Sequence, residues 1–206
     1  ELYFQAGGGA ENMRRLFGRI ASCLDPQVVA EAAVPLPALF AWSAARGPEA
    51  WPEALAACPA GRPLALLLVY RSSVTSGDTD IAAALAEALG ARGLACLVIA
   101  LTSLKDAPAA AALETLIATR KPSVIVTTTA FSARDGDGFV LDAADCPVLQ
   151  AMPVGNPREA WLASPRGLSA VDLAMQVALP EFDGRLAGAA VGFKQDMTEA
   201  ATGLVS

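Results

Sequence analysis

Three short, uninterrupted apolar runs in the middle of this 206-residue chain constrain its fold more than any other feature. The runs are Leu64–Tyr70, Leu94–Leu101 and Val124–Thr128, and glycine, proline or polar residues flank each of them. Apolar runs of this length that do not alternate with polar residues are typical of strands buried on both faces of a parallel sheet. A shorter fourth strand is predicted at Pro147–Gln150.

Helical patterns lie between the apolar runs. Thr79–Arg92 is predicted as a helix with Asp78 or Thr79 as its N-cap, and Pro108–Arg120 as a second helix that begins with proline. Strands that alternate with helices at this spacing require right-handed crossovers. The sequence therefore predicts an α/β fold with a doubly wound, mostly parallel sheet and helices on both faces, flavodoxin-like or Rossmann-like.

The regions on either side of this pattern are more varied. Glu11–Leu24 carries apolar residues at steps of four, which indicates an amphipathic helix, whereas Asp25–Cys58 is rich in proline and alanine and is predicted as irregular with one short helix. Downstream, a helical turn is predicted at Pro157–Leu162, a helix at Ser169–Ala178 and a possible edge strand at Leu186–Phe193.

These patterns divide the chain into three predicted parts. Residues 1–6 include Glu1-Leu2-Tyr3-Phe4-Gln5, which resembles a protease-cleavage site from an expression tag and is excluded from the fold. Residues 7–61 form an N-terminal helical and irregular segment, and residues 62–206 form the α/β domain. We expect the whole to be a piece of a much longer chain.

Composition excludes several classes of function. The net charge of −6 argues against a nucleic-acid surface or an anionic membrane as partner, and no apolar run approaches the ~20 residues of a spanning helix. The absence of histidine removes the commonest transition-metal ligand and general base, so we expect neither a self-contained Zn, Co or Ni site nor a Ser-His or Cys-His nucleophile system. The isolated cysteines are predicted to be buried free thiols in a reducing, cytoplasmic compartment: Cys23, Cys58, Cys96 and Cys146.

The loops that follow the predicted strands carry hydroxyl, charged and aromatic side chains. Ligands of doubly wound sheets bind outside the carboxyl ends of the strands, so we interpret these loops, including a predicted polar loop at Arg71–Thr79, as the rim of a polar ligand site. The alternative is that the hydroxyls only cap helices and strand ends. The candidate residues of this rim are Arg71, Ser72, Ser73, Asp78, Phe131, Ser132 and Gln150.

The first of these loops also resembles the phosphate loop of flavodoxins. Asp78 weakens that interpretation, because its negative charge would stand against a phosphate at the helix N-terminus; it is better interpreted as an N-cap that occupies the anion site itself. The chain contains neither a dinucleotide-binding glycine motif nor a P-loop. A flavin- or nucleotide-binding module therefore stays an alternative.

Carboxylates occur in two close pairs in the second half of the chain. Glu181 and Asp183 lie beside Arg185 in a Pro- and Gly-bounded turn, which favours an ion-paired turn over acid–base chemistry. Asp135 and Asp137 resemble a calcium loop, but too few ligands follow, so a surface loop is predicted.

Trp161 is a further candidate, either as a core anchor or, beside Arg158 and Arg166, as part of a contact surface for a flat ligand or another domain. It lies in the most specific stretch of the chain, 159–185, where tryptophan, arginine and acidic residues interrupt the hydrophobic spacing of a simple core helix.

Taken in order, these segments resemble the N-terminal part of the CobN family, which comprises the large subunit of cobaltochelatase and, more distantly, the H subunit of magnesium chelatase. Two departures are Gln176, where the family usually has asparagine, and a short 25–62 segment. The resemblance covers nearly all of the chain after the tag-like start and is carried by Gly8-Gly9-x-Glu11-Asn12, Tyr70-Arg71-Ser72, Ser76-Gly77-Asp78-Thr79, Thr102-Ser103-Leu104-Lys105-Asp106, Thr127-Thr128-x-Ala130-Phe131-Ser132, Pro147-Val148-Leu149-Gln150, the 159–185 block and Phe193-Lys194.

The resemblance implies part of an ATP-dependent chelatase that inserts Co²⁺ into a corrin precursor, hydrogenobyrinic acid a,c-diamide, during cobalamin synthesis. It implies no cofactor and no catalytic residue within this piece, because the metal-handling His and Glu residues are expected in the rest of the parent chain. It also implies ATP and Mg²⁺ on separate ATPase subunits, and Co²⁺ for the parent complex. The implied partners are the corrin precursor, the ATPase subunits and the rest of the same chain. A magnesium chelatase H subunit and a flavodoxin-like module are the alternatives.

Within that family the chain is expected to be a scaffold that faces either the macrocycle or another domain. Arginine side chains would face the carboxylate or amide side arms of the macrocycle. Serine and glutamine side chains would form hydrogen bonds with it, and aromatic side chains would cover the face of its ring. The predicted substrate-binding residues are Arg71, Ser72, Ser73, Asp78, Phe131, Ser132, Gln150, Trp161 and Arg166.

Overall fold

A computed structural model describes Tyr3 and residues 7–134, 136, 138–165 and 167–195 of the chain. Its seven strands form one sheet in the order β2-β1-β4-β3-β5-β6-β7. The strands are β1 (Leu39–Ser43), β2 (Gly47–Glu49), β3 (Leu64–Tyr70), β4 (Ala95–Leu101), β5 (Val124–Thr127), β6 (Val148–Val154) and β7 (Leu186–Phe193).

Helices connect these strands. They are α1 (Gly9–Leu24), α2 (Trp51–Ala57), α3 (Arg71–Ser76), α4 (Asp80–Ala91), α5 (Ala107–Thr119) and α6 (Arg158–Ala163), with a 3₁₀ turn at Val140–Ala144. A last helix begins as α7 (Ala170–Leu173), passes through a π-helical segment (Ala174–Ala178) and ends as α8 (Leu179–Glu181).

The five strands from β3 to β7 are parallel and lie in the order β4-β3-β5-β6-β7. Numbered from β3, this is the 2-1-3-4-5 order of flavodoxin-like sheets, whose ligands bind where the strand order reverses. The predicted α/β class, the mostly parallel sheet and the N-terminal helix are confirmed. The predicted edge strand is also confirmed, since β7 lies at the end of the sheet.

Two hydrophobic layers cover the central strands. Leu66 and Leu68 of β3 face the layer that includes α5, whereas Leu67 and Val69 face the layer that includes α4. Alternate side chains of a strand point to opposite faces, so one apolar run fills both layers. Burying a leucine side chain contributes roughly 1.5–3 kcal/mol, and these leucines are fully buried.

Three sequence predictions are corrected. The segment Asp25–Cys58 is not simply irregular, because β1 pairs antiparallel with β4, and with β2, and so extends the sheet. The polar stretch predicted as a loop contains helix α3, which ends at Gly77 with φ +83°, the left-handed conformation that glycine adopts readily. Asp78 does not cap α4; of the two predicted N-caps, Thr79 occupies the position, without a side-chain hydrogen bond.

Helix α1 is held by a polar contact rather than by its apolar side chains. The Asn12 side chain is buried, donates to the carbonyls of Gly8 and Val34, and accepts from the Val34 N–H. Phe17 and Leu24 are exposed, at 64% and 84%. The predicted amphipathic helix is therefore present, but its apolar stripe faces away from the described core. No described helix is both long and apolar enough to cross a lipid bilayer.

Candidate functional site

A cavity of about 340 Å³ opens at the carboxyl ends of β3, β4 and β5, where the strand order reverses. Tyr70 ends β3, and its hydroxyl donates to the Ala130 carbonyl at 3.0 Å, which ties the loop after β5 to the central strand. The cavity is lined by Tyr70, residues 103–105, residues 129–133 and Arg185.

Phe131 is the aromatic residue of this cavity's rim loop, and its backbone is strained. Its φ is +65°, in the left-handed region, and the residue is 53% exposed. A bulky residue in that conformation costs of order 1–3 kcal/mol, and such strain concentrates at functional sites. Glycine would avoid this cost, and an exposed ring adds little to the core. The phenylalanine therefore indicates a role in contacting a ligand or another part of the protein.

Asp183 organises the loop that carries Phe131. Its side chain is fully buried and accepts from the Ser132 hydroxyl at 2.6 Å and from the backbone N–H groups of Ala133 and Arg134 at 2.8 and 2.9 Å. Backbone N–H groups that converge on a carboxylate form charge-assisted hydrogen bonds, which are stronger than neutral ones. The rim loop is therefore fixed from below by one acidic residue.

Arg185 completes this arrangement. Its Nη2 donates to Asp183 at 2.6 Å and to the Phe131 carbonyl at 3.1 Å, and its Nη1 donates to the Thr129 carbonyl at 2.9 Å and to Gln150 at 3.2 Å. Its guanidinium lies over the Phe139 ring, 5.6 Å from the centroid. The ion-paired turn predicted from the sequence is confirmed for Asp183 and Arg185.

The hydrogen bonds determine the ionisation of Asp183. Burial alone would raise its pKa, but donation from Ser132 and from two backbone N–H groups, together with the charge of Arg185, outweighs burial and lowers the pKa below its ordinary value. Arginine stays protonated in proteins, so the pair is ionic at neutral pH.

Gln150 lies beneath the rim rather than on it. Its side chain is fully buried; Nε2 donates to the Thr129 carbonyl and to the Gln176 side chain at 2.9 Å, and its carbonyl accepts from Arg185. Gln176 belongs to the π-helical segment, whose Met175 carbonyl also accepts from the Phe131 N–H. π-helical turns occur frequently at functional sites, and here one supports the rim loop from a neighbouring helix.

Of the predicted binding residues that the structure describes, only Phe131 and Ser132 line the cavity. Arg71 instead donates to the carbonyls of Leu36 and Pro37 and so fastens the N-terminal segment to the sheet.

The other predicted residues that the structure describes lie away from the cavity. Ser72 and Ser73 are in α3, and Asp78 is exposed after it. Trp161 packs against Phe193 of β7, with ring centroids 5.2 Å apart. Arg166 lies outside the described residues, as do Asp135 and Asp137.

Eight of the ten residues that line the cavity are absent from the predicted set, and three of these eight carry large polar or charged side chains. Tyr70 ends a strand at the point where the order reverses, a position that strand prediction alone indicates. Lys105 is exposed on the neighbouring loop and forms no ion pair with any carboxylate in the described part of the chain. The sequence predicts that Arg185 forms an ion pair in its own turn. It does not predict that Arg185 lines the cavity, because the loops that form the cavity are far away in sequence. Within the described ranges, no three carboxylate or thiol side chains converge on a possible metal position.

Comparison with known proteins gives a consistent result. A family model described as CobN/Magnesium Chelatase matches residues 2–205. The chain is 42% identical over 129 residues, 61% of its length, to the aerobic cobaltochelatase subunit CobN of Sinorhizobium sp.. It is 38% identical over 198 residues, 91% of its length, to the protein of the same name in Pseudomonas aeruginosa.

A solved structure agrees. The catalytic subunit of cobaltochelatase from Mycobacterium tuberculosis superposes on 97% of this chain with a TM-score of 0.74 at 27% identity. The chain spans 10% and 15% of the two curated relatives and 17% of the solved chain. With the family model matched over nearly its whole length, this chain belongs to the CobN/magnesium chelatase family.

Proposed function

We propose that this chain forms an α/β part of the large subunit of an ATP-dependent cobaltochelatase, which inserts Co²⁺ into hydrogenobyrinic acid a,c-diamide in cobalamin biosynthesis. The names of the two curated relatives and of the solved structure support cobalt as the metal. Within the subunit, the rim of the sheet contacts the macrocycle, and the rest of the module is a scaffold.

The cavity at the carboxyl ends of β3, β4 and β5 carries this proposal. Its 340 Å³ is at the lower end of the roughly 300–1,000 Å³ of ligand sites, so it admits one edge or side arm of a macrocycle rather than the whole ring. The strained Phe131 offers an exposed aromatic face beside it, suited to an extended conjugated ring.

Electrostatics favour an acidic side arm. The chain has a net charge of −6, yet Lys105 at the cavity has no carboxylate partner among the described residues. A carboxylate of the corrin precursor would form a charge-assisted hydrogen bond with its ammonium group. The negative charge of Asp183 does not repel such a carboxylate, because Arg185 and three hydrogen-bond donors compensate it.

Hydrolysis of ATP is assigned to separate ATPase subunits. The chain has no P-loop and no histidine, so we place nucleotide hydrolysis on partner subunits and metal delivery in other parts of the large subunit. Co²⁺ is in this proposal a substrate that other residues handle, and the complex is assigned to the cytoplasm.

Calorimetric titration with hydrogenobyrinic acid a,c-diamide tests the role of the rim. We expect binding by the unmodified chain and a Kd about tenfold weaker, about 1.4 kcal/mol, for Lys105→Ala and for Phe131→Ala. Lys121→Ala and Phe17→Ala remove matched exposed side chains away from the cavity and should leave the Kd unchanged.

Failure of the chain to bind the corrin precursor, or equal Kd values for all four variants, would contradict the macrocycle-facing role. A melting temperature raised by FMN but not by the corrin precursor would instead support the flavodoxin-like alternative.

A further inference from the structure

Strand β7 ends the sheet with one side unpaired. Among the described residues it pairs with β6 alone, through registers that run from Leu149 opposite Leu186 to Val154 opposite Phe193. The other edge of β7 therefore presents a row of backbone N–H and C=O groups without a described strand partner. Such an edge is a template for pairing with a further strand.

The faces of β7 are also uncovered in its first half. Leu186, Ala187, Gly188 and Ala189 are all exposed. Because side chains alternate between the two faces of a strand, four consecutive exposed residues mean that neither face is covered there. This is unusual for a parallel sheet, which is normally covered by helices on both faces.

Nothing in the sequence of β7 protects this edge. Leu186–Phe193 contains neither a charged residue nor a proline, which are the common means of blocking edge-to-edge pairing. Two large apolar side chains are exposed here: Leu186, the first residue of β7, at 55%, and Phe182, four residues before it, at 72%. The small side chains at 187–190 would let another backbone approach closely. We refer to Leu186–Ala190, with Phe182, as the β7 edge.

We propose that the β7 edge binds an extended segment of the same large subunit, from outside these 206 residues, as an added strand. The solved relative is about six times as long as this chain, which spans 17% of it, so most of the subunit is available to cover the edge. Main-chain pairing would supply affinity, and Leu186 and Phe182 would bury apolar area. This inference rests on family membership and does not depend on the macrocycle proposal.

Hydrogen exchange tests it. Amide exchange of the peptide that covers Leu186–Phe193 is measured by mass spectrometry in this chain alone and in the full-length large subunit that contains it. In an edge strand about half of the amides point away from the paired neighbour, and we expect these to exchange at least about tenfold more slowly in the full-length subunit.

A substitution separates strand addition from general shielding by a large protein. Ala189→Lys leaves the melting temperature of the isolated chain unchanged, because the position is exposed, but places a charge where the added strand must pack. In the full-length subunit it should return the exchange of the peptide to within about threefold of the isolated chain. Ala91→Lys, at the exposed end of α4, is the matched control and should retain the slow exchange.

Three results would overturn the proposal. They are equal exchange of the peptide in both proteins, slow exchange already present in the isolated chain at low concentration, and protection that grows with the concentration of the isolated chain. The last of these would assign the edge to a second copy of the chain.

Discussion

The centre and the margin of the sheet are stabilised by different forces. In the centre, the side chains of β3 from Leu64 to Val69 are buried and apolar, and neighbouring strands and helices cover them on all sides. At the margin, between β5 and β7, polar and charged side chains are buried as well: Gln150, Asp183 and Arg185 form a connected hydrogen-bond network.

This difference separates stability from the shape of the rim. Apolar burial in the centre is non-directional, so it fixes the strands without specifying how the loops beyond them lie. The Asp183–Arg185 network is directional, and it is the network that holds residues 129–134 around the cavity. The geometry of the candidate site therefore depends on a charged pair rather than on the core.

The largest expected effect is that of Asp183→Ala. The substitution leaves Arg185 as a buried charge without its partner and removes the acceptor of several hydrogen bonds, so we expect the free energy of unfolding to fall by about 3–5 kcal/mol. Chemical denaturation measures it. Glu181→Ala removes an exposed carboxylate two residues away and should change the free energy by less than about 0.5 kcal/mol.

The double variant Asp183→Leu, Arg185→Met tests whether the unpaired guanidinium causes this loss of stability. Removing both charges avoids the unpaired guanidinium, so the double variant should be more stable than Asp183→Ala. Its rim loop would lose the hydrogen bonds to both side chains, and we expect weaker binding of the macrocycle. A double variant that is less stable than the single one would show that the unpaired guanidinium is not the main cause of the lost stability.

In the centre, Leu67→Ala is the corresponding test. The leucine is fully buried in the layer beneath α4, and its truncation should lower the free energy of unfolding by about 3 kcal/mol. Because no charge is involved, the loss should be the same at pH 7 and at pH 4. If the loss of unfolding free energy in Leu67→Ala varied with pH, the stability of the centre would depend on the ionised groups of the margin.

The margin, by contrast, should respond to acid. The pKa of Asp183 is lower in the folded state than its ordinary value of about 3.9 in an unfolded chain. Its stabilisation is therefore fully present above about pH 5 and is lost as pH falls through 4 towards the folded-state pKa. Unfolding of the unmodified chain and of Asp183→Asn between pH 7 and 3 measures this. The difference between them should shrink in acid, and a constant difference would contradict the assignment.

Thiol reactivity gives the smallest and simplest comparison. Burial raises the pKa of Cys96 in β4 to about 12, so only roughly 10⁻⁴ of it is thiolate at pH 8. Burial also raises the pKa values of Cys58 and Cys146. Cys23, by contrast, is exposed on α1, so the prediction of a buried thiol is wrong for this residue. A disulfide reagent should therefore modify one of the four cysteines rapidly, and Cys23→Ser should abolish that phase. A second rapid thiol would indicate opening of the sheet.

Much of the central fold can be predicted from the sequence. Apolar runs and helical spacing locate β3, β4 and β5, because a strand that is buried on both faces consists almost entirely of apolar residues. Strand β1 escapes prediction because its five residues lie in a proline- and alanine-rich segment, and only pairing with β4 makes them a strand. Sequence periodicity does not contain that long-range contact.

The candidate site is predicted less completely. Reasoning from strand ends indicates a rim at the carboxyl side of the sheet, and Phe131 and Ser132 do line a cavity there. Arg71 also follows a strand end, but its side chain turns to the carbonyls of residues 36 and 37. Gln150 ends the predicted fourth strand, but β6 continues to Val154, so Gln150 lies within the strand and contacts Arg185. A polar residue at a strand end can face the ligand or the scaffold, and only the surrounding geometry distinguishes the two.

The π-helical segment Ala174–Ala178 carries a consequence for how this region tolerates insertion and deletion. A π turn amounts to an α-helix with one extra residue, and each residue advances an α-helix by about 100°. Deleting one residue within 174–178 would restore regular α-helix and turn everything after it by about that angle relative to the part before. Met175, whose carbonyl accepts from the Phe131 N–H, and Asp183 could then no longer both contact the rim loop. The extra residue of the π turn therefore acts as a spacer that brings these two contacts into phase.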